Sequence, residues 1–238
     1  MHKLEIVDKQ IHQNVKVSAQ NVLENNANVH MSHIVVTEFS DVAQYYPIFF
    51  SKDSDTGQFQ PVALFGLAVD ENIYQASGLW RKCYLPLKIQ SQPFYLIKNE
   101  TQHEHNDHVR LAIDINDLRV QEEHGEALFI DAKTTGYLQQ QVAILSELTK
   151  GFVQNHAFIS ALLRHDLLES VTLDIQYKDG QQHKLNGLYT INQTMLEKVP
   201  SSIQKEFEQQ GYVSLISAVL LSVSHVSTLI EIKNTLIN

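Results

Sequence analysis

Residues 45–53 read YYPIFFSKD, and the apolar runs that follow are PVALFGL at 61–67, GLWRKCYLP at 78–86 and PFYL at 93–96. Each run is short, rich in aromatic and β-branched residues, and bounded by Pro, Gly or Asn-type residues. This pattern is typical of successive strands joined by tight turns. The stretch from 45 to 96 therefore predicts the centre of a β-rich fold.

The N-terminal half extends this pattern on both sides. Residues 3–17 alternate between polar and apolar, which predicts one or two edge strands. Residues 38–45, with Thr37 as a candidate N-cap, predict a short helix that ends before Pro47. Strands are expected at about 34–36, 47–51, 61–67, 94–98 and 109–115.

The period of the apolar residues changes at about 134. Thr134 and Thr135 are candidate caps of a helix in which Leu138, Val142 and Leu145 recur at helical spacing. The remaining expected elements are a second helical stretch at 158–168, a β-hairpin at 171–191 turned at an Asp-Gly pair, and short helices at 193–198 and 201–210.

Residues 212–232 form the longest apolar run, which is nearly long enough to cross a bilayer. Serines and His225 interrupt it, and its apolar residues fall largely on one helical stripe. These features favour a helix packed closely against a neighbour over a membrane span. We expect no transmembrane segment.

Together these elements predict an α+β fold, with a mostly antiparallel sheet, packed helices and a buried C-terminal helix. Glycine (9) and proline (5) are scarce, which argues against flexible linkers. We expect a single domain over 1–238. If it has two lobes, they are a β-rich segment at 1–133 and a helix, hairpin and helix segment at 134–238.

The charge of the chain restricts its partners. The formal net charge is −9, from 18 basic and 27 acidic residues, without a basic stripe. Duplex binding depends on Lys and Arg neutralising phosphates, so no nucleic-acid partner is expected. An anionic membrane surface is disfavoured for the same reason. A protein or small-molecule partner remains, and the oligomeric state stays open.

Cysteine usage and the N-terminal residues indicate the compartment. Cys83 is the only cysteine, so an intrachain disulfide cannot form. Residues 1–17 lack the unbroken apolar core of a secretory signal. Both features favour a cytoplasmic protein, although export without a cleaved signal stays open.

The segment HEHNDH at 103–108 has the letters of a metal-binding run. Imidazoles of His103, His105 and His108 and the carboxylate of Asp107 would suit zinc, which lowers the pKa of bound water. A strand pattern follows the run at once, which favours a polar loop. We therefore expect no metal or other cofactor, and keep a metal-dependent enzyme as the alternative.

Other reactive side chains lack a complete catalytic setting. A cation beside Cys83 could activate its thiol, but a cysteine within an aromatic segment is more often a small core residue. The sequence has no Gly-x-Ser-x-Gly elbow, Walker loop or Gly-x-Gly-x-x-Gly turn. These absences leave the catalytic residues unknown and favour a binding protein.

An aromatic and cationic cluster is the strongest candidate for a binding surface. It contains Trp80, Arg81, Tyr84 and Phe94, with Tyr46 nearby in sequence. Trp, Tyr and Arg dominate binding hot spots because they combine large contact area with polar groups. The alternative interpretation is that the aromatic members belong to the core.

The chain resembles the SapC family, a bacterial family of about this length. The resemblance spans roughly 34–230 and rests on dispersed matches. They are Tyr46-Pro47, Gly66-Leu67, Asn72, Trp80, Tyr84, Pro86, Pro93-Phe94, Gly187-Leu188-Tyr189 and Gly211-Tyr212. With these matches, the candidate binding residues are Tyr46, Asn72, Trp80, Arg81, Tyr84 and Phe94.

The resemblance implies an accessory role rather than a reaction. It suggests work beside flavin-dependent halogenase-like, cupin-like oxygenase and TonB-dependent receptor systems, and the family name suggests a surface-layer component as a further alternative. The resemblance supplies no catalytic residues. We therefore expect an accessory or binding protein whose biochemical activity the sequence leaves open.

Overall fold

The computed structural model describes residues 3–18, 22–98 and 109–237. In chain order the strands are β1 (Leu4–Ile6), β2 (Lys16–Val17), β3 (Met31–His33), β4 (Ile48–Lys52), β5 (Phe59–Leu64), β6 (Phe94–Lys98), β7 (Val109–Asp114), β8 (Val120–Gln121), β9 (Glu126–Ala127), β10 (Phe129–Ile130), β11 (Lys133–Thr134), β12 (Leu168–Gln176) and β13 (Gln182–Ile191).

The helices follow the same numbering. They are α1 (Val22–Asn25), α2 (Phe39–Val42), α3 (Ile73–Ala76), α4 (Leu87–Gln90), α5 (Gly136–Arg164), α6 (Gln193–Leu196), α7 (Ser201–Gln209), α8 (Tyr212–Ser222) and α9 (His225–Leu236). Two 3-10 turns lie at Val36–Glu38 and Leu79–Lys82. Neighbouring strands in the described residues pair antiparallel, and the α+β class is confirmed.

The chain forms two compact units, each built from two separate segments. The first unit comprises Met1–Asn25 and Leu87–Thr149, and the second comprises Asn26–Pro86 and Lys150–Asn238. These units differ from the expected lobes 1–133 and 134–238 because β13 pairs with β4, which joins distant parts of the chain in one sheet. The single-domain assignment stays a prediction.

The first unit contains two small antiparallel sheets and a hairpin. The sheets have the strand orders β1-β7-β6 and β8-β2-β9, and β10 pairs with β11. Its core includes Phe94, Ile113, Leu128, Leu138 and Leu148, which are all almost fully buried. The first turns of α5 therefore bury one apolar stripe.

The second unit is organised around a five-stranded sheet with the order β12-β13-β4-β5-β3. The central strand β4 begins with Ile48, Phe49 and Phe50, and all three are buried. A strand covered on both faces is expected to be apolar at consecutive positions rather than at alternate ones. The run IFF at 48–50 is therefore explained by its central place.

The expected strand at 34–36 and the Thr37 cap are both wrong in detail. The strand ends at His33, because the buried Asn155 side chain takes over the next backbone groups. Its Oδ1 accepts from Val36 N at 2.8 Å, and its Nδ2 donates to Ile34 O at 2.8 Å. The cap at the start of the 3-10 turn is Glu38 rather than Thr37, since the Glu38 carboxylate accepts a hydrogen bond from Val35 N.

The helix expected from 134 is longer than the sequence suggested. Two helical stretches were expected, and one continuous helix, α5, spans 136–164. Thr135 provides the cap, because its hydroxyl accepts from Leu138 N at 3.3 Å. The Asp-Gly hairpin is confirmed as β12–β13, with a register shift between Val171 and Leu173.

The C-terminal run is divided into two helices, α8 and α9, and is buried along one face only. Ile216, Val219 and Ser222 are the buried residues of α8. The Ser222 hydroxyl accepts from Ile48 N at 2.8 Å and donates to Val219 O at 2.7 Å. A serine predicted to interrupt the apolar run therefore ties α8 to the first residue of the central strand.

By length and composition alone, Tyr212–Leu236 could cross a membrane, and 22% of its most apolar window is buried. The mostly buried core helix of a soluble protein meets the same criterion of length and composition, and one such helix is weak evidence for a span. The expectation of no transmembrane segment stays a prediction.

Candidate functional site

Aromatic rings from four separate segments meet in the second unit. Tyr46 precedes β4, Phe65 follows β5, Tyr74 lies on α3, and Trp80 lies on the 3-10 turn Leu79–Lys82. The Tyr46 ring meets Phe65 and Tyr74 edge-on, with centroids 5.0 and 4.9 Å apart, and Phe65 lies 5.2 Å from Trp80. Such pairs stabilise a core beyond their buried area.

This aromatic cluster, defined as Tyr46, Phe65, Tyr74 and Trp80, is closed to solvent. Tyr46, Phe65 and Trp80 are 0% exposed and Tyr74 is 3% exposed. The aromatic members at these positions are therefore core residues, as in the alternative interpretation. A partner cannot touch Tyr46 or Trp80 unless the fold opens.

Hydrogen bonds connect the aromatic cluster to its surroundings. The Tyr46 hydroxyl donates to Tyr84 O at 2.7 Å, and the Tyr84 hydroxyl donates to Glu38 Oε2 at 3.1 Å. The other Glu38 oxygen accepts from Val35 N at 2.9 Å. A buried carboxylate is stabilised when both oxygens accept hydrogen bonds. The series of hydrogen bonds from Tyr46 through Tyr84 to Glu38 therefore fixes the segment around residue 84.

The buried hydroxyls are held in their neutral form. Burial raises the pKa of Tyr46 and also that of Tyr74. The Trp80 indole lies near the Tyr46 hydroxyl, yet its Nε1 finds no acceptor of proper geometry within the described residues. Neutral phenols sealed from solvent serve packing and hydrogen bonding rather than acid–base chemistry.

Asn72 has an architectural position at the start of α3. Its Oδ1 accepts from Gln75 N at 2.9 Å, which caps the helix, and its Nδ2 donates to Asn26 O at 3.1 Å. The residue is 2% exposed. Both ends of the amide are therefore used inside the fold.

Gly66 allows two backbone segments to pass close to each other, because it lies against the carbonyl of Glu71, the residue before Asn72. A Cβ atom at Gly66 would lie 2.0 Å from Glu71 O. Only glycine fits this approach without a shift of the backbone. The Gly66-Leu67 match therefore reports a packing requirement.

Arg81 and Tyr84 are the candidate residues that reach the surface of the second unit. Arg81 and its neighbour Lys82 are exposed, Tyr84 is half-buried, and Leu79 is 39% exposed. Because Trp80 points inward from the same short turn, its neighbours point outward. The exposed part of the predicted cluster is thus cationic, with one apolar side chain.

Phe94 belongs to the first unit. It is fully buried in β6 and lies 6.1 Å from the Tyr137 ring. Burial raises the pKa of Tyr137 to about 12, so this ring also stays neutral. The binding role predicted for the six candidate residues stays a prediction, and four of them, Tyr46, Asn72, Trp80 and Phe94, are buried.

Cys83 follows the same turn and is half-buried. Burial raises the pKa of its thiol, which outweighs the opposite effect of a hydrogen bond with Tyr46. A raised pKa lowers the fraction of nucleophilic thiolate. The geometry favours a small packing residue over a catalytic nucleophile.

The predicted metal-binding run, His103, His105, Asp107 and His108, lies outside the described residues. Among the residues that the structure does describe, no group of three or more His, Cys, Asp or Glu side chains could hold a metal ion. His225 binds the backbone, with Nε2 3.0 Å from Ala43 O.

Sequence reasoning missed a buried ion pair and a pocket in the first unit. Arg119 is fully buried, and its Nη2 lies 2.6 Å from Asp117 Oδ2. The pocket is lined by Val7, Asp8, Lys9, Leu111, Phe129, Thr134, Leu138, Gln139 and Val142. The ion pair could have been predicted from the sequence, because Asp117 and Arg119 are only two residues apart. The pocket could not, because its lining comes from distant segments that share no motif.

The comparisons with known proteins identify one family. The SapC family model matches residues 7–229. No curated protein and no solved structure matches significantly. Because the match covers nearly all of the 238 residues, the chain belongs to the SapC family.

Proposed function

We propose that this SapC protein is a non-catalytic accessory protein that binds a protein partner through the Leu79–Lys82 turn. The observation that carries the proposal is the contrast within this turn. Trp80 is fully buried, whereas Leu79, Arg81 and Lys82 are exposed. A rigid base thus presents an apolar side chain and two cations.

The turn is preorganised by the residues around it. Gly78 begins it in a left-handed conformation, with φ of 72°, and Cys83 N donates to Trp80 O at 3.1 Å. A surface that is already ordered loses less conformational entropy on binding. Arginine on such a base is a common binding hot spot.

The charge of the turn indicates the chemistry of the partner. Arg81 and Lys82 are adjacent cations on a chain of net charge −9. Opposite charges steer association and favour the correct orientation. An acidic surface on the partner fits this turn best.

The biological setting of the proposal comes from the family resemblance. It supports an accessory role in the bacterial cytoplasm, beside flavin-dependent halogenase-like, cupin-like oxygenase and TonB-dependent receptor systems. Within it, Arg81 and Tyr84 would contact the partner. Tyr46, Asn72 and Trp80 would position the turn through packing and hydrogen bonds.

Affinity capture from the native cells tests the proposal. The wild-type protein should recover a specific protein, and the double variant Arg81→Glu/Lys82→Glu should lose it. The matched control is Lys178→Glu/Lys205→Glu, which reverses two exposed lysines elsewhere in the same unit. We expect a loss in affinity of about 10- to 100-fold for the turn variant, since hot-spot charges are worth about 2 kcal/mol or more.

The possible results test the accessory role and the choice of the Leu79–Lys82 turn as the binding surface separately. Equal recovery by both double variants would reject the turn as the binding surface. Recovery of no specific protein by the wild type would reject the accessory role itself.

A further inference from the structure

A separate pocket lies in the first unit, outside every predicted site. It has a volume of about 520 Å³. Its walls come from the segment after β1, from β7, from the β10–β11 hairpin and from the first two turns of α5. Pockets for small organic molecules usually measure about 300–1,000 Å³, so the size suits such a ligand.

The lining of the pocket is mainly apolar. Val7, Leu111, Phe129, Leu138 and Val142 contribute aliphatic or aromatic surface. Leu138 is 3% exposed, so it belongs to the floor, whereas Val142 is 41% exposed and lies at the opening. Such a surface gains free energy when it covers an aliphatic chain or an aromatic ring.

Hydrogen bonds hold the walls of the pocket in place. Val7 N donates to Leu111 O at 2.9 Å, which fixes the segment after β1 to β7. The Thr135 hydroxyl donates to Ala127 O at 2.7 Å, and Thr135 N donates to Leu128 O at 3.1 Å. The hairpin and the start of α5 are therefore tied together, and the space between them is preformed.

The charged groups in the pocket lining are one carboxylate, Asp8, and one ammonium group, Lys9. The Asp8 carboxylate already accepts from Gln10 N at 2.7 Å and from Ile11 N at 3.2 Å, and these bonds lower its pKa. Lys9 is exposed, and its charge also contributes to lowering the pKa of Asp8. Because backbone N–H groups already donate to the Asp8 carboxylate, the exposed ammonium group of Lys9 can face an anionic ligand, while Thr134 and Gln139 add neutral polar groups.

We propose that this first-unit pocket binds an amphipathic organic acid. The apolar part of the ligand lies against Leu111, Leu138 and Val142, and its carboxylate faces Lys9. The competing explanation is a water-filled crease between the hairpin and α5, without affinity for any solute. The proposal is independent of the Leu79–Lys82 turn, which lies in the other unit.

Calorimetric titration with saturated fatty acids, each kept below its micelle concentration, tests the apolar contacts. Affinity should rise about fourfold for each added methylene from octanoate to dodecanoate, because each buried methylene contributes about 0.8 kcal/mol. A saturable stoichiometry near one per chain is expected. Absence of saturable binding would overturn the proposal.

Two valines of α5 provide a matched pair for locating the ligand. Val142→Trp places an indole in the opening and should weaken dodecanoate binding by about tenfold or more, since two or more methylenes lose their contacts. Val153→Trp makes the same change at a position that is 70% exposed and does not line the pocket. Unchanged affinity in Val142→Trp would place the binding elsewhere and overturn the assignment.

The charge of the head group is tested with Lys9→Glu and dodecyltrimethylammonium. The variant should bind dodecanoate about three- to tenfold more weakly and the cationic detergent more strongly, as expected for reversal of an exposed charge. Lys150→Glu is the control, because Lys150 is exposed and does not line the pocket. Equal binding of the two amphiphiles by the wild type would overturn the organic-acid assignment.

Discussion

The aromatic cluster of the second unit and the pocket of the first unit use apolar side chains in opposite ways. In the cluster, Tyr46, Phe65 and Trp80 fill their space and are 0% exposed. In the pocket, Phe129 and Val142 line about 520 Å³ of open space. The aromatic cluster has the more conspicuous sequence of the two regions, yet it is the one that is closed to solvent.

This difference has a physical origin. Large rings bury the most area, so a chain that concentrates them in short succession tends to place them in its core. A pocket requires walls that do not collapse, and here backbone hydrogen bonds provide them. Aromatic density therefore indicates stability at least as strongly as it indicates binding, and the following predictions test that contrast.

The largest effect is expected from Trp80→Ala. Removal of a fully buried indole should lower the free energy of unfolding by about 3–5 kcal/mol. The contrasting change is Val142→Ala at the rim of the pocket, which should cost far less, about 0.5 kcal/mol, because Val142 is 41% exposed. Urea unfolding followed by circular dichroism measures both.

The same pair of variants could contradict the proposed difference between the aromatic cluster and the pocket. If Trp80→Ala costs no more than Val142→Ala, the aromatic cluster does not support the second unit. The Leu79–Lys82 turn would then lack the rigid base on which its proposed role depends.

A smaller effect is expected from Gly66→Ala. The new Cβ would meet Glu71 O at 2.0 Å, so the backbone beside Asn72 must shift, at a cost of about 1–3 kcal/mol. Gly136→Ala is the matched control, because a Cβ there has no neighbour within 4 Å and alanine favours the first turn of α5. Thermal unfolding should separate the two variants, and equal melting temperatures would show that the approach at Gly66 relaxes freely.

Local patterns predicted much of the fold. The strand expected at 94–98 coincides with β6, and those at 47–51 and 109–115 fall within a residue of β4 and β7. The Asp-Gly hairpin was recognised because its turn is encoded by adjacent residues. In each case the residues whose pattern predicts the element are the same residues that form it.

The errors arose where a distant residue decided the local structure. Asn155 binds the backbone on both sides of Val35, so the strand predicted at 34–36 is absent and a 3-10 turn begins at Val36. Ser222 similarly binds Ile48 N, although the sequence shows it only as an interruption of an apolar run. Contacts across more than 100 residues leave no periodic signal in either segment.

The candidate site was predictable in composition but not in exposure. Trp80 and Arg81 are adjacent, and both were expected to contribute to binding. In a 3-10 turn neighbouring side chains point in different directions, so one is buried and the other exposed. The pocket could not have been found from the sequence, because its lining is assembled from segments with no shared motif.

The smallest expected effect concerns Cys83, at the edge of the aromatic cluster. Because burial raises the pKa of its thiol, the thiolate fraction at pH 8 is lower than for an exposed cysteine, and alkylation by iodoacetamide should be several-fold slower. The control is Ser54→Cys in a Cys83→Ser background, which places one exposed thiol in the second unit. The midpoint of the pH–rate profile should also lie higher for Cys83 than for the control. Equal rates and midpoints would mean that water reaches this edge, and the cluster would then be partly open, as the pocket of the first unit is.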